Sequence, residues 1–136
     1  MTVIDVAAGL IFRAGLLLIT RRPPGSHLAG LWEFPGGKLQ PGESWENALR
    51  RELLEELGFS ASVGLPYEEI THDYPEKSVR LRFFLCSVES GEPRPIECAE
   101  LAWVRRDELG QFQFPEADAR LLERLTCDPA LFGSSR

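Results

Sequence analysis

The segment that decides the fold is GGKLQPGESWENALRRELLEELGF, which runs from Gly36 to Phe59. Its second half predicts a helix over Ser44–Leu57, because the interior holds strong helix formers and Ser44 is a typical N-cap. Gly58 then suits the left-handed position that ends many helices. Pro35-Gly36-Gly37, at the start of the segment, predicts a turn or a loop with exposed backbone. The segment is therefore expected to form a loop followed by a helix.

The predicted helix separates its apolar and acidic side chains. At about 100° per residue, one side of the helix collects Leu53, Leu54 and Leu57, and the other collects Glu52, Glu55 and Glu56. Three carboxylates on one face repel one another, and Arg51 can offset only one of the three charges. A solvated acidic face is one interpretation. A site for a hard divalent cation such as Mg²⁺, which prefers oxygen ligands, is the other.

Outside this segment the pattern is mainly that of strands. Val3–Phe12 and Gly15–Thr20 predict a hairpin, and further strands are expected at about Ser62–His72, Ser78–Val88 and Leu101–Val104. Leu31–Phe34 is a short apolar stretch. Arg21–Gly30, with two prolines and two glycines, predicts a loop. Pro115 fits the first turn of a terminal helix. One domain over residues 1–136, of the α+β class with a mixed sheet flanked by helices, is the expected architecture.

The composition limits the possible functions. The chain has 136 residues, 43% of them hydrophobic, and no apolar run approaches the ~20 residues that span a bilayer. No signal-peptide pattern opens the sequence, so a cytoplasmic protein without a membrane partner is expected. A net charge of -6 argues against a nucleic-acid polymer as partner. The three cysteines, widely spaced, are expected to be reduced thiols.

The same decisive segment resembles a known family. It matches the Nudix box, G-x5-E-x7-R-E-U-x-E-E-x-G-U with U a bulky apolar residue, at every fixed position. The matching residues are Gly37, Glu43, Arg51, Glu52, Leu53, Glu55, Glu56, Gly58 and Phe59. This resemblance implies a mixed β-sheet sandwiched between helices, and an enzyme that binds a divalent metal and hydrolyses a nucleoside diphosphate linked to another group.

Further stretches resemble the MutT branch of that family, the pyrophosphohydrolases that remove oxidised nucleotides. These stretches are Thr20-Arg21-Arg22, the loop through His27, Trp32–Lys38 and Phe114–Asp118. The resemblance implies a substrate among the nucleoside triphosphates, 8-oxo-dGTP first, with a nucleoside monophosphate and pyrophosphate as products. A monomer that uses Mg²⁺, or Mn²⁺ in its place, is expected.

The resemblance also assigns roles on the metal side. Glu52, Glu55, Glu56 and the carbonyl of Gly37 are the expected metal ligands, with a further glutamate at Glu100 or, as second choice, Glu97. Glu52 is the first choice for the base that accepts the proton of the attacking water. Arg51 is expected to orient a glutamate, and Glu43 to support the loop before the helix.

On the substrate side, Arg22 and Lys38 are candidate phosphate contacts, and His27 lies in a loop that the resemblance places near the substrate. Phe34, which lies in the Trp32–Lys38 stretch that resembles MutT, is a further candidate for contact with the substrate. Tyr74, Phe84 and Phe114 are candidates to stack on the base, although core packing is the commoner role of an aromatic ring.

Asp118 departs from the MutT pattern, which has Asn at this position. An ionised Asp only accepts hydrogen bonds, so it could accept from N1–H and the amine of guanine or from the N4 amine of cytosine. A protonated Asp could mimic Asn. The alternative is an ordinary Asp in the first turn of a helix.

Three competing functions follow. The first is a pyrophosphatase for CTP or methylated dCTP, which Asp118 motivates. The second is a catalytically inert Nudix domain that senses a nucleotide, and the third is an acidic interaction domain without a ligand. The complete set of glutamates argues against both non-enzymes.

Overall fold

The computed structural model describes residues 2–133, and in this range a mixed sheet lies between helices. The strands are β1 (Thr2–Arg13), β2 (Leu16–Arg21), β3 (Trp32–Glu33), β4 (Gly36–Lys38), β5 (Ser60–Asp73), β6 (Lys77–Ser90) and β7 (Glu100–Val104). The α-helices are α1 (Trp45–Leu57) and α2 (Ala119–Thr126), and short 3₁₀ helices span Arg106–Gln111, Glu116–Asp118 and Pro129–Phe132. The α+β prediction is confirmed.

Strand β1 holds the sheet together. It runs parallel to β6 from Thr2–Lys77 to Ile11–Cys86, and antiparallel to β4 over Val6–Ala8. Its far end turns back into β2, as the predicted hairpin requires. The remaining order is β3-β2-β1-β6-β5, with β7 paired to β2. Because β1 pairs with both β4 and β6, it brings the Gly36–Lys38 segment next to the middle of the sheet.

Each face of the sheet carries its own core. Leu49, Leu53 and Leu57 of α1 pack with Ile11 and Phe59 on one face. On the other face, Leu121 and Leu125 of α2 pack with Leu10, Ile19 and Phe83. Burying such side chains stabilises the fold by roughly 1.5–3 kcal/mol each. The expectation of a sheet sandwiched between helices is confirmed.

The glycine pair forms a strand, so the predicted turn at Pro35-Gly36-Gly37 is wrong. Gly36 and Gly37 pair with Ala8 and Ala7 of β1. A β-carbon on Gly36 would overlap the backbone of Ala7. Glycine is required here because two backbones approach closely, and a turn is only the commoner reason for a Pro-Gly-Gly sequence.

Two elements, the terminal helix and β5, differ in detail from the prediction. Pro115 precedes a 3₁₀ turn at Glu116–Asp118, and the α-helix begins only at Ala119. Strand β5 contains register shifts at Val63/Pro66 and Pro66/Glu68.

Among the three cysteines, Cys86 is buried, Cys98 half-buried and Cys127 exposed, and all are free.

Within residues 2–133, no helix combines the length and the apolar character needed to cross a bilayer.

Candidate active site

Helix α1 is fixed at both ends by its own sequence. The Ser44 hydroxyl accepts a hydrogen bond from the backbone N–H of Asn47 at 3.1 Å, which caps the helix start. Gly58 adopts a left-handed conformation with φ of 70°, and its N–H donates to the carbonyl of Leu54. The buried leucines anchor one side of α1 on the sheet. The acidic side therefore has a fixed direction, toward Gly37 and β4.

Arg51 connects the loop, strand β4 and the acidic face. Its guanidinium donates two bonds to the Glu43 carboxylate, at 2.7 and 2.9 Å, and one to the Lys38 carbonyl at 3.1 Å. It also donates to Glu52 at 3.1 Å and to Glu55 at 3.3 Å. Such charge-assisted bonds are stronger than neutral ones. Arg51 therefore holds the carboxylates of Glu43, Glu52 and Glu55 in position.

Glu43 belongs to the support of the site. Its carboxylate accepts from Arg51 and from the backbone N–H of Gln40 at 2.8 Å. The bonds from Arg51, and then the bond from Gln40, lower the pKa of Glu43 to about 2. Glu43 is thus held ionised as the partner of Arg51.

Glu52 lies directly against the glycine strand. A β-carbon on Gly37 would overlap the carboxyl group of Glu52. The side chain of Glu52 is 20% exposed. The missing side chain of Gly37 therefore provides the space in which the Glu52 carboxylate lies, next to the backbone of β4.

Glu56 lies one turn after Glu52 and is surrounded by like charges. Burial raises the pKa of Glu56 to about 8, and the charges of Glu33, Glu52 and Glu97 contribute to the same direction. The backbone N–H of Glu97 donates to the Glu56 carbonyl at 3.1 Å, which holds the 97 loop against the end of α1. We call Glu33, Glu52, Glu56 and Glu97 the cluster. Its carboxylates lie close enough for their charges to oppose one another's ionisation.

Two of the predicted metal ligands lie at the margin of the cluster or outside it. Glu55 is half-exposed and pairs with Arg51. Glu100 opens β7 opposite Arg21 and forms an ion pair with it at 2.9 Å, so the structure does not bring Glu100 to Glu56. Glu97, the second choice, lines the site cavity together with Glu56 and takes the place expected of Glu100.

The donors of this site fit a hard divalent cation. Within residues 2–133, no three His, Cys, Asp or Glu side chains already form a geometry that holds a metal ion. Carboxylates and the exposed backbone of β4 are the oxygen donors that Mg²⁺ prefers. A cation bound here would favour the ionised form of Glu56, whose pKa is raised by burial and then by the charges of Glu33, Glu52 and Glu97.

A cavity of about 460 Å³ extends from this cluster across the sheet. Its lining includes Glu56, Glu97 and Gly37, and also Asp118 and Pro115. The apolar part of the lining includes Val6, Ala8, Leu81 and Phe83, which come from β1 and β6. A volume of this size is typical of small-molecule sites. The cavity therefore combines acidic and apolar side chains.

Asp118 faces this cavity and does not cap α2. It directly precedes the helix, yet its side chain makes no capping hydrogen bond. The residue is only 8% exposed. Burial, and then the charge of Glu33, raises the pKa of Asp118 to about 6. Because the Asp118 carboxyl group lines the cavity and makes no capping bond to the helix, it is available to bind a ligand there.

The cationic candidates lie at the rim. Arg22 and Lys38 both line the cavity. Arg22 is held by an ion pair with Glu33 at 2.8 Å and by a bond to the His27 carbonyl. The side chain of His27 lines a neighbouring cavity instead, together with Lys38 and Tyr74.

The aromatic candidates divide between cavity and core. Phe34 and Tyr74 line the cavity. Phe114 stacks on Phe34 with ring centroids 5.1 Å apart, so it supports the lining from behind. Phe84 is buried in the core under α1, so its proposed contact with a base is wrong. Its neighbour Phe83 lines the cavity, because successive side chains of a strand point to opposite faces.

Sequence reasoning missed Glu33. Glu33 lines the same cavity, and its charge contributes to the raised pKa of both Glu56 and Asp118. Burial raises the pKa of Glu33 itself, although Arg22 opposes this. An acidic residue between the aromatic residues of Trp32-Glu33-Phe34 was the available signal.

Comparison with known proteins agrees with this geometry. The model of the family described as NUDIX domain matches residues 7–124. An 8-oxo-dGTP diphosphatase of Haemophilus influenzae is 42% identical over 124 residues, which cover 90% of this chain and 91% of the relative.

A second relative has another substrate in its name. The CTP pyrophosphohydrolase of Escherichia coli K12 is 38% identical over 90% of this chain and 91% of its own length. Among solved structures, the E. coli ORF135 protein superposes with a TM-score of 0.82 at 37% identity, covering 96% of this chain and 93% of that one.

Proposed function

This chain belongs to the NUDIX domain family, and on that premise we propose that it hydrolyses nucleoside triphosphates to monophosphates and pyrophosphate. The single observation that supports this most is the cavity itself, whose lining combines Glu56 and Glu97 with apolar side chains and Asp118. A triphosphate fits the acidic side chains once a cation neutralises them, and a base fits the apolar ones. The whole chain would act as one such domain.

The proposed reaction begins with the attack of water on a phosphorus of the triphosphate. The bond from that phosphorus to the bridging oxygen breaks, and pyrophosphate leaves with the bonding electrons. Glu52 accepts the proton of the attacking water, and Arg51 holds the Glu52 carboxylate in position. Arg22 and Lys38, at the rim, neutralise phosphate oxygens.

We assign the cation to Glu52, Glu55, Glu56 and the Gly37 carbonyl, with Glu97 as the further carboxylate. Bound Mg²⁺, or Mn²⁺ in its place, would supply charge stabilisation of the phosphoryl oxygens. Glu43 contributes through Arg51, because it fixes the guanidinium that orients Glu52.

The first proposed substrate is 8-oxo-dGTP, which the name of the H. influenzae relative supports. Phe34 and the strand residues Ala8, Leu81 and Phe83 offer an apolar slot for a purine. A protonated Asp118 can both donate and accept, and its raised pKa keeps part of it protonated near neutral pH. Cytoplasmic location and a monomeric state remain predictions.

A cytidine triphosphate is the second candidate, and Asp118 is the observation that favours it. Ionised Asp118 and Glu33 are both acceptors, which suit the exocyclic amine of cytosine. The E. coli relative named for CTP supports the same choice.

Magnesium-dependent release of pyrophosphate, measured across a panel of oxidised, methylated and ordinary nucleotides, tests the proposal. Release from at least one nucleotide separates an enzyme from a nucleotide sensor and from an acidic interaction domain. Tight nucleotide binding without any release would support the sensor. Neither binding nor release would overturn all nucleotide functions.

Asp118→Asn is expected to change the ratio of kcat/KM between 8-oxo-dGTP and CTP by tenfold or more. The reason is that a changed hydrogen-bonding edge leaves buried groups unpaired, which costs about 1–3 kcal/mol for the disfavoured base. The measurement is steady-state kinetics with both nucleotides. Equal losses for the two would reduce Asp118 to a structural residue at the helix start.

Magnesium is expected to raise the melting temperature of the wild-type chain. Binding to the native state alone adds about 2.7 kcal/mol at a hundredfold excess over Kd. The effect should grow from pH 6 to pH 8.5. The raised pKa of Glu56 means that the metal-free protein loses stability as pH rises toward 8, and the cation removes this loss.

The control is potassium chloride at matched ionic strength, which screens charge without occupying a specific site. Glu52→Gln should show a smaller magnesium shift than the wild type. The same shift in both proteins would argue against α1 as the metal site.

A further inference from the structure

A β-bulge in β5 changes which side chains face α2. Pro66 pairs with Phe84, and Glu68 pairs with Phe83, so Tyr67 is an extra residue between them. Without the bulge, neighbouring residues would point to opposite faces of the sheet. With it, Tyr67 and Glu68 both face α2, since both contact residues at its end or along it. Bulges next to functional sites commonly redirect side chains in this way.

Glu68 holds two turns of α2 at once. Its carboxylate forms ion pairs with Arg120 at 3.2 Å and with Arg124 at 3.1 Å. The side chain of Glu68 is only 15% exposed, although both arginines reach solvent. The two arginines also donate to the β5 backbone, Arg120 to the Glu69 carbonyl and Arg124 to that of Tyr67. We call Glu68, Arg120 and Arg124 the clamp.

The clamp lies two residues from Asp118. Asp118 ends the 3₁₀ turn, and Arg120 lies in the first turn of α2. Between β5 and this turn there is a cavity of about 290 Å³, lined by Ile70, Thr71, His72, Ala117 and Arg120. Leu121, the next residue after Arg120, packs in the core cluster that Tyr67 and Ile70 of β5 also contact. The clamp adds a polar connection between β5 and the exposed side of the same helical turn.

We propose that Glu68 is a positioning residue for base recognition, which acts through α2 to aim Asp118 into the site cavity. This inference rests on the proposed function. It assigns to Glu68 no contact with the nucleotide. The Glu68→Gln change keeps the shape of the side chain and removes the charge that both arginines share. The start of α2 then loses this polar connection to β5, and the position of Asp118 changes with it.

Binding of nucleoside monophosphates tests this without depending on turnover. The affinities of 8-oxo-dGMP and CMP are measured by calorimetry in magnesium chloride for the wild type, Glu68→Gln, Asp118→Ala and the double variant. Glu68→Gln is expected to change the ratio of the two affinities by roughly three- to tenfold. In the Asp118→Ala background, which has no polar side chain left to position, the same change should have almost no further effect.

Glu69→Gln is the matched control. Glu69 is the next residue of β5 and forms an ion pair with Arg82 at 2.8 Å. This variant should keep the wild-type ratio. Should Glu68→Gln fail to fold, Arg120→Met removes the same ion pair from its exposed partner and should change the ratio in the same direction.

Two results would overturn the inference: an unchanged ratio in Glu68→Gln, or an equal change in the wild-type and Asp118→Ala backgrounds. A wild-type chain that binds neither monophosphate would overturn the proposed function, and the role of Glu68 with it. Binding of both with no turnover would overturn the hydrolysis alone.

Discussion

Glu52→Gln is expected to lower kcat by about 10²–10⁴-fold while the chain keeps its fold, because a general base contributes that much. Glu56→Gln should also cause a large loss, since it removes a proposed metal ligand. Both changes preserve size and remove a charge. Turnover of the preferred nucleotide at saturating magnesium is the measurement, with circular dichroism to establish folding.

Glu46→Gln provides the comparison on the same helix. Glu46 lies in the first turn of α1, where it is exposed and outside the cluster. Its change should leave turnover at the wild-type level. Wild-type turnover in Glu56→Gln at ordinary magnesium would remove that residue from the proposed ligands.

Gly37→Ala is expected to lower turnover by about 10²-fold, with a smaller effect on stability. The new methyl group would occupy the space that holds the Glu52 carboxylate. A displacement of the order of 1 Å in a catalytic group is enough for such a loss. Steady-state kinetics and a thermal melt of the same preparation separate the two effects.

Gly110→Ala is its control, because a β-carbon on Gly110 would meet open space. This variant should keep both turnover and melting temperature. Full activity in Gly37→Ala would mean that turnover does not depend on the present position of the Glu52 carboxylate. That result would argue against Glu52 as the general base.

The parts of the site that are local in sequence could be predicted. Ser44, Gly58 and the spacing of the leucines and glutamates determine α1, because each acts within one or two helical turns. The link from Arg51 to Glu43 spans eight residues and accompanies the same motif. For these residues the spacing along the chain was enough to predict which side chains lie together in the structure.

The parts that depend on distant pairing could not be predicted. Gly36 and Gly37 are strand residues only because β1 lies beside them. Glu97 reaches Glu56 through a loop that packs on the end of α1, whereas Glu100 meets Arg21 across a strand pair. The choice between Phe83 and Phe84 depends on which face of β6 each residue takes, which the register decides.

The parallel pairing of β1 with β6 has a consequence for how the molecule folds. Thr2 and Lys77, at one end of this pair, are 75 residues apart in the chain. Helix α1 and its caps need only neighbouring residues, so they can form early. The apolar lining of the cavity needs a long loop to close first, and such non-local contacts form slowly. We therefore expect the chain to form the helix that carries the proposed metal ligands before it forms the surface proposed to select a nucleotide.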